Sequence, residues 1–196
     1  LDLKPTNFLS WWNKDDRYSR QILTGDLEKI RSFYMDRGYL DFDIENTTVS
    51  ISESKKNVYI AIIIDEGDKY NFGDIKISGK YYPLKEESIF QNDIKTIKGE
   101  VFSRKLLNQS TELINKELGN YGYAFSNVNP IPDVDKDNLT VGFNYFIEPG
   151  KKVYVRRISF IGNEITQDKV LRREMRQFES SYYDKEKIDQ STRRLK

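Results

Sequence analysis

The chain has 196 residues, 37% apolar and 32% charged, with a formal net charge of +1. The length allows one domain or a few small ones, and the balanced charge argues against a dedicated binder of nucleic-acid phosphates. The absence of Cys and His removes Ser-His-Asp, Cys-His and zinc chemistry together, and no run of about 18 apolar residues offers a membrane-spanning helix.

The opening LDLKPTNFLSWW lacks the basic-then-apolar order of a signal peptide and has no initiator Met, so the chain reads as a fragment. In SWWN (Ser10–Asn13), Trp11 and Trp12 face opposite ways if the stretch is extended. They read as cover for the apolar end of a truncated module, or as aromatics that contact a partner. A helix follows, with Leu23, Leu27, Ile30 and Tyr34 on one apolar face. Gly38 stands where a helix-terminating residue turns left-handed, and Tyr39 follows it. Two strands come next: TVSIS alternates, SESKKN is a turn, and VYIAIII is the second strand.

The chain then runs with almost no linker into the strand-like NFGDIKISG. A short helical stretch, Leu84–Lys95, and a longer helix after Ser103 follow. The longer helix carries Leu107, Ile114 and Leu118 on one face and ends at Gly122-Tyr123. The next strand contains Pro130 and Pro132. DVDKDN (Asp133–Asn138) resembles a calcium loop, but positions 6 and 12 hold Asn138 and Asn144 where Gly and Glu are needed, so it reads as a hairpin turn. LTVGFNYFI then alternates Leu139, Val141, Phe143, Tyr145 and Ile147 on one face. A last stretch begins with the strand-like VYVRRISFIG. Thr166–Phe178 follows as a helix with Val170, Met175 and Phe178 in its stripe, and another helix starts after the potential cap Asp184.

The order repeats. Tyr18–Ile44 aligns with Phe102–Val128, Gly38-Tyr39 falling on Gly122-Tyr123 84 residues later. Val58–Gly79 aligns with Val141–Gly162 at an offset of 83. A third copy begins at Tyr183 and shares a Gln-Ser-Thr with the second. This period is too long for a solenoid and suits tandem small domains. Each unit reads β-α-α-β-β, an α+β fold with a three-stranded mixed sheet covered on one face by two helices. Residues 1–67 form a module without its first strand and most of its first helix, 68–150 a complete module, and 151–196 the start of a further one.

This order resembles POTRA (polypeptide-transport-associated) domains, more closely those of BamA-type outer-membrane assembly factors. The resemblance rests on SWWN, DLEKIRSFYMDRGYLDFDI (Asp26–Ile44), YGYA (Tyr121–Ala124) and VYVRRISFIGNEITQDKVLRREMRQFE (Val153–Glu179), and covers essentially the whole chain. It implies the third (partial), fourth and fifth (partial) modules of a five-module array, without the C-terminal membrane barrel that would follow. It also implies a non-enzymatic scaffold without cofactor on the periplasmic face of the Gram-negative outer membrane, this fragment itself being soluble. Its partners would be unfolded outer-membrane β-barrel proteins and the outer-membrane lipoproteins of the assembly complex. The region RREMRQFE would contact a lipoprotein through Arg172, Arg173, Arg176 and Glu179. The alternatives are the POTRA region of another secretion or translocation transporter, or a tandem RNA-binding α/β protein. A KH-like RNA binder would need a GxxG loop between its helices and a basic groove; nothing between the two predicted helices spells that loop, and the charge is balanced, so nucleic acid is not an expected partner.

Two surfaces stand out from the residues themselves. A three-stranded sheet has two edges, and an extended client can add a strand at either by main-chain bonds. Pro130 and Pro132 point the same way and remove donors from one side of their strand. The first module's counterpart, Glu45, Asn46, Thr47, Thr48, Val49, Ser50, Ile51 and Ser52, has no proline and is the better augmentation edge. An ordinary solvated edge is the competing reading. In the Arg cluster, Arg172 and Arg176 at helical spacing would share a face with Glu179 beyond, a mixed-charge surface that suits a protein interface or a solvated helix. Gly38, Tyr39, Gly122 and Tyr123 are expected to be structural turns.

Overall fold

The computed structural model describes residues 20–54, 57–80 and 87–196. They fall into two compact units. One holds the described residues up to Phe72 together with Gly99–Lys105 and Val134–Val141; the other holds Gly73–Lys98, Leu106–Asp133 and Gly142–Lys196. Trp11 and Trp12 lie outside the described residues.

The first unit opens with α1 (Arg20–Met35). Leu23 is buried, while Leu27, Ile30 and Tyr34 are half-buried. The helix closes as the sequence predicts. Gly38 has φ 104°, and the amides of Arg37 and Tyr39 both return to the Tyr34 carbonyl, at 2.9 and 3.3 Å. This satisfies a carbonyl that the helix itself leaves open. Phe42, buried, stacks on Tyr34 with ring centroids 4.3 Å apart, and Tyr39 meets the same ring edge-on. Two antiparallel strands follow, β1 (Asp43–Ile51) and β2 (Val58–Asp65). Among the described residues they form a two-stranded sheet. The turn closes where the Ser52 amide donates to the Asn57 carbonyl at 2.9 Å.

β3 (Asn71–Gly79), β4 (Asn127–Asp135) and β5 (Thr140–Glu148) make a three-stranded sheet in the order β3-β5-β4. The hairpin makes β4 and β5 antiparallel. β3 runs parallel to β5: Asn71 donates to Leu139 at one end and Lys80 donates to Ile147 at the other, both at 3.0 Å. The sheet is therefore mixed and the fold α+β, as expected. The alternation is borne out within β5, where Val141, Phe143, Tyr145 and Ile147 are all buried, while Leu139 precedes the strand, half-buried with φ 49°. So are Leu107, Ile114 and Leu118 of α2 (Arg104–Asn120). The two prolines lie on β4, an edge strand, where a missing donor costs no ladder bond on the solvent side.

Three expectations need correction. Of the helical stretch Leu84–Lys95, the described part forms only a 3-10 turn, Glu87–Phe90. VYVRRISFIG forms no strand; it makes one isolated bridge, Tyr154 with Tyr182, because no neighbouring strand among the described residues offers it a ladder. The helix predicted over Thr166–Phe178 is shorter: α3 spans Asp168–Glu174, and Met175 is extended. Val170 and Phe178 are exposed instead of forming a buried stripe with Met175. The cause lies in Gln177, which is buried. Its amide donates to the Phe178 and Tyr182 carbonyls and to the Ser181 hydroxyl, and its carbonyl oxygen accepts the Asp184 amide at 2.9 Å. That network holds a compact turn that a continuing helix would break. α4 (Lys185–Arg194) then starts as predicted, with the Asp184 carboxylate accepting the Lys187 amide at 3.0 Å.

The shared Gln-Ser-Thr has a structural meaning. Ser110 and Ser191 are both buried. Each hydroxyl donates to the carbonyl four residues back and accepts an amide from the chain before the helix, Lys95 for Ser110 and Arg176 for Ser191, at 2.8 Å in both cases.

Candidate binding surfaces

β1 pairs on one side only, with β2, so its other side is an edge among the described residues. The register slips between Ile44 and Asn46, which places Glu45 in a bulge. Ser52 lies past the strand and is engaged in the turn. Within the predicted stretch Glu45–Ser52, the regular edge is therefore Asn46–Ile51. It carries no Lys and no Pro, the residues that commonly blunt an edge, and Ile51 is 65% exposed. Behind the hairpin, Lys29, Ile30, Phe33 and Tyr34 of α1 and Ile62 and Ile64 of β2 line a groove of about 480 Å³. The start of β1 is fixed by Arg31, whose guanidinium donates to Asp43 at 2.9 Å and to the Phe42 carbonyl at 3.4 Å. That bond holds the Asp43 carboxyl below the usual carboxylate range.

In the Arg cluster, helical spacing misleads. Arg176 lies beyond α3, so it does not share a helix face with Arg172, and Glu179 pairs with Arg172 rather than Arg176. All three guanidinium nitrogens of Arg172 bond within the chain. Its Nε donates to Asp168 at 2.7 Å, Nη1 to Glu179 at 3.1 Å and Nη2 to the Ile158 carbonyl at 2.9 Å. Glu179 in turn accepts the Ile158 amide at 2.8 Å. Asp168 first, then Glu179, raises the Arg172 pKa; the Ile158 amide first, then Arg172, lowers that of Glu179. These two residues form a clip that ties the segment around Ile158 to α3. Arg173 differs: its side chain is 80% exposed, with only a long 3.8 Å approach to Glu174. Glu174 itself is held by Arg194 at 2.6 Å.

At DVDKDN, Asp135 accepts the amides of Asp137 and Asn138 and the Asn138 side chain, which is a hairpin turn. Gly119-Asn120-Tyr121-Gly122 does have GxxG spacing, but it closes α2 and leads to a strand rather than joining two helices. Among the described residues no helix is long and apolar enough to cross a membrane.

The Gly-Tyr junctions share two main-chain bonds. Tyr123 donates to Leu118 as Tyr39 does to Tyr34, five residues back in each case. The carbonyl of each glycine accepts an amide from the start of the next copy: Tyr70 to Gly38 at 2.8 Å, Val153 to Gly122 at 2.9 Å. Lys69 and Lys152, just before those donors, lie along the two glycines, and the Lys152 ammonium lies over the rings of Tyr123 and Tyr182. Sequence reasoning found the glycines and missed these partners. The repeat held the signal, since Lys69-Tyr70 and Lys152-Val153 occupy equivalent positions.

An α+β chain in which this helix-ending junction occurs twice defines a class of tandem α+β module. The family model described as "POTRA: Surface antigen variable number repeat" matches residues 4–67, 70–150 and 153–196, and the chain belongs to this family. It is 33% identical over 95% of its length to "Outer membrane protein assembly factor BamA" of Buchnera aphidicola, and 32% identical over its whole length to the protein of the same name from Neisseria meningitidis. It spans only 30% and 24% of those relatives. Among solved structures it is similar to the Haemophilus influenzae BamA POTRA3-5 crystal structure, with a TM-score of 0.81 and 27% identity, over 92% of this chain and 70% of that one. It is also similar to Haemophilus ducreyi BamA lacking POTRA domains 1-3, with a TM-score of 0.56 and 31% identity, over 65% of this chain and 24% of that one.

Proposed function

We propose that this chain is a periplasmic segment of an outer-membrane β-barrel assembly factor, acting as a scaffold and not as an enzyme. Residues 1–67, 68–150 and 151–196 correspond to its third, fourth and fifth POTRA modules, the first and last in part. The longer protein carries the membrane barrel. Unfolded outer-membrane proteins add a strand at β1, chiefly along Asn46–Ile51, because main-chain pairing accepts many sequences. The single observation that carries this reading is the one-sided pairing of β1, among the described residues, on a stretch without proline or lysine. An outer-membrane lipoprotein docks at the α3 region, where Arg173 and Arg176 make the contact and the Arg172–Glu179 clip shapes the surface.

Photo-crosslinking tests the client site. A photoreactive residue at Thr48 or Val49 should capture an unfolded outer-membrane β-barrel protein, and one at Ile131 or Asp133 on β4 should not. Capture on β4 with none on β1 refutes the assignment.

A further inference from the structure

Asp36 lies in the turn that closes α1, where its charge does not suit its own helix. The C-terminal end of a helix carries partial negative charge, so a carboxylate there is unfavourable. The same carboxylate suits another helix. Its Oδ1 accepts the Lys105 amide at 2.7 Å and lies 3.5 Å from the Ser103 hydroxyl. Lys105 is in the first turn of α2, where amides have no partner within the helix and the partial charge is positive.

The second junction repeats the contact. Asn120, the last residue of α2, accepts the Glu186 amide on Oδ1 at 3.0 Å. Asp36 and Asn120 each stand two residues before a junction glycine, and Lys105 and Glu186 are each the second residue of their helix. At α4 the helix's own cap, Asp184, accepts a different amide, that of Lys187. The contact from the preceding copy therefore adds to the local cap. An acid serves at one junction and an amide at the other, so the shared requirement is a short side chain ending in an acceptor oxygen.

We infer that Asp36 and Asn120 are helix caps supplied in trans: the first turns of α2 and α4 are each completed by the copy before. With the glycine carbonyls that receive Tyr70 and Val153, each junction is a two-point clamp. Order at the start of one helix is then linked to docking of the preceding helix end. Asp36 and Asn120 are positioning residues.

Amide hydrogen exchange on the full chain tests this. Asp36→Ala should speed exchange at Lys105 and Tyr70 by about fivefold, the loss of one cap, while Phe143 and Tyr145 in β5 are unchanged. Asp36→Asn should restore Lys105, and Asn120→Ala and Asn120→Asp should behave the same way at Glu186. The chain has no cysteine, so E28C and D137C accept nitroxides cleanly. Their distance distribution should broaden in Asp36→Ala and narrow again in Asp36→Asn. Unchanged Lys105 exchange in Asp36→Ala overturns the inference. So does a uniform rise that includes β5 and that Asp36→Asn fails to reverse.

Discussion

Tyr70 donates its amide to the Gly38 carbonyl at 2.8 Å, and Val153 does the same to Gly122 at 2.9 Å. One glycine thus does two jobs. Its positive φ ends a helix, and its carbonyl anchors the start of the next copy. The helix-ending turn and the joint between copies are one structure.

The two glycines should differ in tolerance to alanine. Both have positive φ, 104° and 97°, which strains any L side chain by roughly 1–2 kcal/mol. A Cβ at Gly38 would also meet Lys69 Cγ at 2.8 Å and the Tyr70 carbonyl oxygen at 3.1 Å, whereas at Gly122 the nearest atom is 3.6 Å away. Gly38→Ala is expected to destabilise more than Gly122→Ala in urea titrations, and an equal loss would show that packing at Gly38 relaxes freely.

Ile114 is fully buried on α2, so Ile114→Ala should cost about 2–5 kcal/mol in the same titrations. Ile131, exposed on β4, should tolerate alanine within about 0.5 kcal/mol.

Glu179 sets an acid limit on the third copy. Its folded pKa lies below the ordinary value, so it stabilises in full above the unfolded value of about 4.3 and loses that contribution as pH falls through the folded one. The protection factor of the Ile158 amide, followed from pH 6 to pH 3 relative to the intrinsic exchange rate at each pH, should fall at the acid end. Glu179→Gln should flatten that dependence; an identical profile in the variant would assign it to another group.

Arg172 and Arg173 should separate structure from partner binding. Arg172→Ala removes three donors from Asp168, Glu179 and Ile158 and is expected to lower the melting temperature. Arg173→Ala should leave melting unchanged and weaken lipoprotein binding in a pull-down. The opposite pattern would move the contact to Arg172.

At the proposed client edge, Thr48→Lys adds the kind of charge that native edges use against strand addition. Client crosslinking from Val49 should fall with stability within about 0.5 kcal/mol of the parent. Undiminished crosslinking would point to another surface.

The residues alone determined the period of about 83, the helix ends at Gly38 and Gly122, and the inward alternation of β5. Each depends on local rules: backbone freedom at one glycine, or a two-residue or 3.6-residue spacing of apolar side chains. The proline-free stretch was legible for the same reason. The bulge at Glu45, the end of α3 and the internal use of Arg172 were not, because each depends on a partner distant in the chain or on competing local bonds. Helical spacing put Arg172 beside Arg176; Gln177, buried with its amide fully engaged, ended the helix first. Asp36 shows the division most plainly. Sequence places a carboxylate at the wrong end of its own helix, and only the folded chain brings it, 69 residues on, to the end of another helix where that charge is favourable.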